Sequence, residues 1–202
     1  DLLIAERLAV LGQLAGSVSH EIRNPLNVIS SSAYYIKMKL GSMDKKLKEH
    51  IERIESEVRN STAIIDSLLS LSGMKEPNKV RLNVIALLNE AISTSQIPRM
   101  IKIVKKIPED EIFMEADKEQ LSMAFHNVIK NAVEAMDDAG VFTLNVSKQA
   151  DGSVKILFID TGTGIAPENM NKLFKPLFTT KARGIGFGLT ICKMIVSKHK
   201  GV

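Results

Sequence analysis

Apolar residues recur every three or four positions along the first forty residues of the chain. This spacing places them on one face of an α-helix and predicts a helix over residues 2–40. The same period returns over residues 45–72, after a turn in which Gly41 ends the first helix and Asp44 caps the second. The apolar positions are Ile4, Leu8, Leu11, Ala15, Val18, Ile22, Pro25, Ile29, Ala33, Ile36 and Leu40 in the first helix, and Leu47, Ile51, Ile54, Val58, Ile65 and Leu68 in the second.

Two long amphipathic helices joined by a short turn predict an antiparallel hairpin. A single hairpin leaves half of each apolar face in water. Pairing two hairpins into a four-helix bundle buries that surface, so we predict that residues 1–74 form a homodimer.

A different pattern begins after residues 73–78, which break the helical period and predict a linker. Short alternating apolar runs then separate amphipathic stretches, which indicates a mixed α/β domain over residues 79–202 and an α+β fold class overall. Asp117 is the expected N-cap of a central helix, and Asp151–Gly152 is the expected turn of a hairpin. Strands are predicted over 79–83, 101–107, 112–115, 141–149 and 154–160, and helices over 84–95, 117–136 and 189–200, with a glycine-rich, poorly periodic stretch before the last helix.

Composition narrows the functional classes. The 202 residues carry 27 basic and 23 acidic side chains without a dense basic run, and aromatic residues make up only 4%, so nucleic-acid binding is not favoured. The single cysteine, Cys192, excludes an internal disulfide and fits a reducing, cytoplasmic location. No apolar run approaches a membrane span and no signal peptide is present. Because the sequence opens in helical register without Met, a membrane anchor further upstream stays open.

His20 lies off the apolar face of the first helix, about 200° around from Val18 and Ile22. Small residues precede it and polar residues follow it on its own face, which leaves the imidazole open to a large second body. Pro25, one turn later, removes a helical hydrogen bond at a cost of up to about 3 kcal/mol. An ordinary solvated histidine is the alternative interpretation.

Three clusters in the second half of the chain carry further candidate chemistry. Asn127 and Asn131 share a helix face at i and i+4, where amide oxygens suit a hard cation such as Mg²⁺. Asp160 ends an apolar strand, where we expect a buried carboxylate that can read an exocyclic amine, and two glycines follow it. Residues 184–189 place three glycines before a helix, whose N-terminal N–H groups favour phosphate. Each cluster alone is common in proteins.

The order and spacing of these clusters resemble the sensor histidine kinases of two-component signalling over nearly the whole chain. Residues 19–26 (Ser-His-Glu-Ile-Arg-Asn-Pro-Leu) resemble the H box of that family, and residues 127–131 its N box. Residues 160–165 resemble the G1 box, 174–181 the F box and 184–189 the G2 box. The resemblance implies a dimeric phosphotransfer domain followed by a two-layer α/β sandwich that binds ATP.

The resemblance also implies a role for each matching residue. Asp160 would bind the adenine amino group, and Asn131 would hold Mg²⁺ with Asn127 close by. Gly162 and Gly164 would hinge a lid that Gly184, Gly186 and Gly188 close over the phosphates. Phe174 and Phe178 would pack that lid, and Phe178, Lys181 and Leu189 would belong to the nucleotide site. Ile185 and Phe187 depart from the usual Thr and Leu, and the chain stops before the closing strand of the family, which suggests a truncated domain.

The implied reaction moves the γ-phosphoryl group of ATP to His20 and then to an aspartate of a response regulator. Glu21 would take or orient the imidazole proton, although neighbouring helical side chains point about 100° apart. Asn24 would assist dephosphorylation of the regulator. Two alternatives stay open: a catalytically silent dimeric scaffold that binds nucleotide, and an ATP-gated clamp, which resembles only the second half of the chain.

Overall fold

The computed structural model describes residues 22–39, 45–72, 75–181 and 186–202. The predicted helix before residue 22 and the turn over residues 41–44 with its cap Asp44 lie outside these ranges. Contacts between backbone positions divide the chain into two compact units. In the described ranges the first contains two helices together with Lys75 and Lys181, and the second comprises Glu76–Thr180 and Gly186–Val202.

The first unit is helical, as the 3.6-residue period predicts. Residues 22–39 form α1, and Lys45–Ser72 form α2. Ala33 and Ile51 are buried, and the Lys37 ammonium lies 3.1 Å from a carboxylate oxygen of Glu55, so the two helices lie against each other. Within the described ranges, no helix is both long enough and apolar enough to cross a membrane.

Several apolar side chains among the described residues of this unit are exposed. Ile22, Ile29 and Ile36 in α1 are 42–45% exposed, as are Leu47 and Ile54 in α2 at 40–43%. Their seven-residue spacing is that of helices that wind around one another in a left-handed bundle. Over the described residues the predicted stripe is therefore present, and only part of it is buried.

The second unit alternates helices and strands. Its strands are β1 (Val80–Asn83), β2 (Ile101–Lys106), β3 (Phe113–Ala116), β4 (Gly140–Lys148) and β5 (Val154–Asp160), and its helices are α3 (Val84–Thr94), α4 (Lys118–Ala135) and α5 (Gly188–Lys198). Asn83 and Asp117 cap α3 and α4 by accepting hydrogen bonds from the N–H groups of Ala86 and Gln120. The predicted N-cap Asp117 is thus confirmed.

The strands form two sheets that cover one side of the helices. β2 pairs with β4 in parallel, β4 pairs with β5 antiparallel across the predicted hairpin, and β1 pairs with β3 in a separate antiparallel ribbon. Alternate β4 side chains, Phe142, Leu144 and Val146, are buried. The ring of Phe125 in α4 lies 5.8 Å from that of Phe158 in β5, so helices and sheet form the predicted two-layer fold.

The stretch between β5 and α5 differs from the prediction in one respect. Pro167–Lys172 form a 3₁₀ helix, with Pro167 at its first position. No residue of this short helix is buried. It therefore leaves no apolar period in the sequence, and pattern analysis describes it only as an irregular loop.

Candidate active site

One stripe along α4 organises the predicted nucleotide-binding residues. The opposite side of this helix faces the core, and its side chains Leu121, Phe125 and Ile129 are buried. Asn127 and Asn131 are half-buried, and Ala135 continues the same stripe by one further helical turn. These three residues follow one another at intervals of four, so they span about 12 Å along one edge of the helix.

The start of α5 lies at the Asn127 end of this stripe. A methyl group built on Gly188 would lie 3.3 Å from the side-chain oxygen of Asn127, so any larger residue at Gly188 would crowd that amide. Phe187, the residue before α5, is buried and anchors the helix start. No side chain among the described residues caps α5, and its first turn therefore presents N–H groups beside Asn127.

The glycine loop after β5 lies at the Ala135 end. A methyl group on Gly162 would come within 2.6 Å of the Ala135 carbonyl, and the N–H of Thr163 donates to that carbonyl at 3.0 Å. Gly162 is thus required by close packing. Gly164 has a left-handed backbone with φ +71° and open space around it, so Gly164 is the less constrained of the two predicted hinges.

Asp160 ends β5 beside this loop. One carboxylate oxygen accepts a hydrogen bond from the N–H of Gly162 at 2.9 Å, which closes an Asx turn. The side chain is exposed, so our expectation of a buried carboxylate is wrong: the strand end carries Asp160 past the edge of the core. The carboxylate is instead accessible to a ligand.

The F-box segment packs against the start of α5. Gly186 has φ +77°, and a methyl group on it would lie 2.6 Å from the backbone of Leu177 and Phe178. The Thr190 hydroxyl in α5 donates to the carbonyl of Phe174 at 3.2 Å, and the Lys172 ammonium lies 5.9 Å from the ring of Phe178. The N and G1 segments, the F-box residues that contact α5 and the described part of G2, from Gly186 on, therefore lie around α4 and α5.

The structure describes only some of the remaining predicted site residues. His20, Glu21 and Gly184 are outside the described ranges. Asn24 is exposed on α1 and Lys181 is exposed. Leu189 is half-buried in the first turn of α5.

The described residues contain no cluster of three or more His, Cys, Asp or Glu side chains that could hold a metal ion. A divalent cation here would need a different donor set. The amide oxygen of Asn131 is a hard ligand of the kind that Mg²⁺ accepts alongside the oxygens of a bound phosphate. The residues present therefore fit Mg²⁺ only when it arrives with a phosphate-bearing ligand.

Sequence reasoning missed Ala135 and Thr161. The small Ala135 allows the loop to approach, and the Thr161 hydroxyl accepts a hydrogen bond from the N–H of Val141 at 3.0 Å, which ties the same loop to β4. Extending the four-residue spacing from Asn127 and Asn131 by one step would have found Ala135. No comparable signal marks Thr161, because its partner is distant in sequence.

Two protein families match the chain. Residues 10–77 match the family described as "His Kinase A (phospho-acceptor) domain". Residues 116–202 match "Histidine kinase-, DNA gyrase B-, and HSP90-like ATPase". Sporulation kinase A of Bacillus subtilis (strain 168) is 32% identical over 206 residues, which cover 100% of this chain and 33% of that relative. The chain thus spans about a third of the length of this relative.

Solved structures share the fold. Full-length ShkA in complex with AMPPNP superposes with a TM-score of 0.76 at 21% identity, over 94% of this chain and 42% of that one. The histidine kinase ThkA in complex with the response regulator protein TrrA superposes with a TM-score of 0.68 at 27% identity, over 97% of this chain and 57% of that one.

Proposed function

The chain belongs to the histidine kinases, and from this membership we propose that it transfers the γ-phosphoryl group of ATP to His20 and then to an aspartate of a response regulator. One observation carries the proposal. The G1 loop and the start of α5 lie against the two ends of the Asn127–Asn131–Ala135 stripe, and the F-box segment packs against α5, in a chain whose residues 10–77 match a phospho-acceptor domain.

The stripe and the segments at its two ends supply the contacts that a Mg²⁺-nucleotide needs. The exposed carboxylate of Asp160 accepts a hydrogen bond from the adenine amino group. The uncapped N–H groups of α5, together with Gly184, Gly186 and Gly188, bind the phosphates. Asn131 holds Mg²⁺, with Asn127 beside it. Bound there, Mg²⁺ supplies positive charge that stabilises the charge developing on the phosphoryl oxygens.

At the acceptor, the neutral imidazole of His20 attacks the γ-phosphorus while the bond to the β–γ bridging oxygen breaks and ADP leaves. The ring proton passes to Glu21. In the second step Glu21 returns the proton to the ring, the phosphorus–nitrogen bond breaks as the phosphoryl group moves to a carboxylate oxygen of the regulator, and His20 leaves as neutral imidazole. The ThkA structure with its response regulator supports this class of partner.

We further propose that the first unit is a homodimer. The heptad-spaced isoleucines of α1 and the exposed Leu47 and Ile54 of α2 would be buried by the same surface of a second copy. The second copy would pack on a groove between the helices, whose lining combines the apolar Leu26, Ile29, Ile54 and Val58 with His50, Arg53, Glu57 and Ser61. We place the reaction in the cytoplasm, where the buried thiol of Cys192 stays reduced.

Incubation with γ-labelled Mg²⁺-ATP tests the proposal. We expect the wild-type chain to incorporate label that is lost in acid, as a phosphoramidate is. We expect His20→Gln to incorporate none while binding ATP with unchanged affinity in calorimetry. Acid-stable, alkali-labile label would point to a hydroxyl acceptor. ATP binding without any label in the wild type would favour the silent scaffold, and salt-sensitive DNA binding would favour the clamp.

A further inference from the structure

The segment that enters the second unit is fixed to it by two contacts. The backbone N–H of Asn78 donates to carboxylate oxygen Oδ2 of Asp117 at 2.8 Å. The Lys198 ammonium lies 3.2 Å from a carboxylate oxygen of Glu76. Residues 76–78, which the sequence assigns to a linker, therefore already belong to the second unit.

Asp117 is the centre of this attachment. Its second oxygen, Oδ1, accepts the capping hydrogen bond from the N–H of Gln120 at 3.0 Å. Its own N–H donates to ring nitrogen Nε2 of His199 at 3.0 Å, and ring nitrogen Nδ1 of His199 donates to the carbonyl of Ile195 at 2.8 Å. One residue thus joins the incoming segment, the start of α4 and the end of α5.

The carboxylate of Asp117 is held in the form that can accept both bonds. The Gln120 N–H, and after it the N–H groups of Asn78 and Glu119, keep the pKa of Asp117 below its usual value of 3.8. At neutral pH both oxygens are therefore acceptors. This charge state lets one side chain cap α4 and hold Asn78 at the same time.

The two helices that meet at Asp117 also carry the candidate nucleotide site. α4 and α5 run antiparallel: Asp117 contacts His199, the Ala124 carbonyl accepts from the thiol of Cys192 at 3.5 Å, and Asn127 contacts Gly188. The attachment lies at one end of this helix pair and the nucleotide stripe begins about 15 Å away along α4. Both are thus fixed to the same rigid pair.

We propose that Asp117 is a positioning residue for phosphoryl transfer: by holding Asn78, it fixes the point at which the chain leaves the ATP-binding unit towards the unit that contains His20. This inference rests on the proposed function. The Glu76 side chain is 90% exposed, so its ion pair with Lys198 contributes little by itself. Loss of the Asn78 bond would therefore release residues 76–78 and lengthen the free connection by about 10 Å. A longer tether lowers the effective concentration of the nucleotide site at His20 without changing the site itself.

Asp117→Asn separates this role from helix capping. The amide keeps one oxygen for the Gln120 N–H but replaces the other by an NH₂ group, which cannot accept from Asn78. We expect the rate of His20 phosphorylation at saturating ATP to fall about three- to tenfold, with the ATP dissociation constant unchanged. Asp117→Ser, which also keeps a single capping oxygen, should behave in the same way. Glu119→Gln removes the same charge from the first turn of α4 and should leave both quantities at the wild-type value.

Amide hydrogen exchange in the full chain measures directly whether the Asn78 N–H is bonded to Asp117. We expect the Asn78 amide to be protected in the wild type and in Glu119→Gln, and to exchange faster in Asp117→Asn. Three outcomes would overturn the proposal. The Asn78 amide could exchange freely in the wild type, Asp117→Asn could phosphorylate His20 at the wild-type rate, or its ATP affinity could fall in proportion to its phosphorylation rate. If the wild type takes up no label at all, the proposed function fails instead, and the exchange data still decide whether Asp117 holds Asn78.

Discussion

The two units use apolar residues in opposite ways. In the second unit Phe142 and Leu144 are at most 1% exposed, and the sheet is covered by helices of the same chain. In the first unit Ile22, Ile29 and Ile36 are 42–45% exposed despite their regular spacing. Periodicity thus predicts which face of an element is apolar. It does not say whether the same chain or a second one covers that face.

This difference fits the chemistry that we propose for each unit. A nucleotide site requires several loops to be held within a few ångströms of one helix, and a closed core provides that rigidity. An acceptor histidine must be reached by two different bodies, the ATP-binding unit and the regulator. A bundle completed by a second copy buries its apolar face and leaves the other side of each helix open.

The largest expected effect comes from Ile29→Glu. In the proposed dimer this change buries a carboxyl group without a hydrogen-bond partner once in each copy, at a cost of about 2–3 kcal/mol each. We expect the dimer to dissociate roughly 10³- to 10⁴-fold more readily, which light scattering at micromolar concentration would detect as a monomer. Val28→Glu is the matched control, because Val28 is 64% exposed and lies about 100° around α1. A dimer that survives Ile29→Glu would remove the contrast between the units.

Phe142→Ala tests whether the second unit is stabilised by its own closed core. Removing this fully buried ring should cost the second unit about 3–5 kcal/mol of unfolding free energy and leave the oligomeric state unchanged. The chain has two tyrosines and no tryptophan, and Tyr34 and Tyr35 both lie in α1. Tyrosine fluorescence therefore follows the first unit. We expect its urea transition to stay in place while the circular dichroism transition moves to lower urea.

Leu157→Ala is the control for Phe142→Ala. Leu157 is 38% exposed, and its register partner in β4 is Asn145, on the face opposite to Phe142. We expect a much smaller change in unfolding free energy. If the tyrosine transition moves together with the circular dichroism transition in Phe142→Ala, the two units unfold as one, and the comparison between them fails.

Local patterns in the sequence predicted most of the elements. The hairpin of β4 and β5 follows from alternation on both sides of Asp151–Gly152, and the cap of α4 follows from Asp117. The parallel pairing of β2 with β4 could not be predicted in this way. It brings together residues about forty positions apart, and neither strand contains a local signal for its partner.

The sequence predicted which residues belong to the candidate site, but not how deeply they are buried or which distant residues they contact. The spacing of Asn127 and Asn131 placed them on one helix face, and the structure agrees. The burial expected for Asp160 was wrong, because burial depends on where β5 passes the edge of the core. The attachment at Asp117 was missed since His199 and Asn78 are 82 and 39 positions away from it, and contacts at such separations follow from the tertiary fold alone.

Asp160→Asn probes the second unit at its site. A hydrogen bond from the adenine amino group to a charged carboxylate contributes about 1.5–3 kcal/mol, so ATP affinity should fall about ten- to hundredfold. Asp151→Asn is a close control, because Asp151 is also exposed and its Oδ1 accepts from the N–H of Ser153 at 2.9 Å, as Asp160 does from that of Gly162. Equal affinities for the two variants in calorimetry would exclude Asp160 from the nucleotide site.

The smallest expected effect concerns the first unit and Asn24. This residue is exposed on α1, one turn beyond His20 in sequence, so on a continuous helix both lie on one face. Its amide can orient a water molecule towards an aspartyl phosphate of a docked regulator without acting as a nucleophile. Autophosphorylation places ATP, and not water, at the imidazole. We therefore expect Asn24→Ala to slow the loss of phosphate from the regulator about three- to tenfold while His20 is labelled at nearly the wild-type rate.

Two parallel time courses distinguish a role of Asn24 in orienting water from a role in shaping the helix. One follows label on His20, and the other follows phosphate on a purified, phosphorylated regulator. Asn27→Ala provides the control, since Asn27 is exposed on the same helix but lies two turns from His20, too far to share its water. If both rates fall together in Asn24→Ala, the residue shapes the helix next to Pro25 and does not orient water. If Asn27→Ala slows dephosphorylation equally, the effect belongs to the docking surface and not to the amide of Asn24.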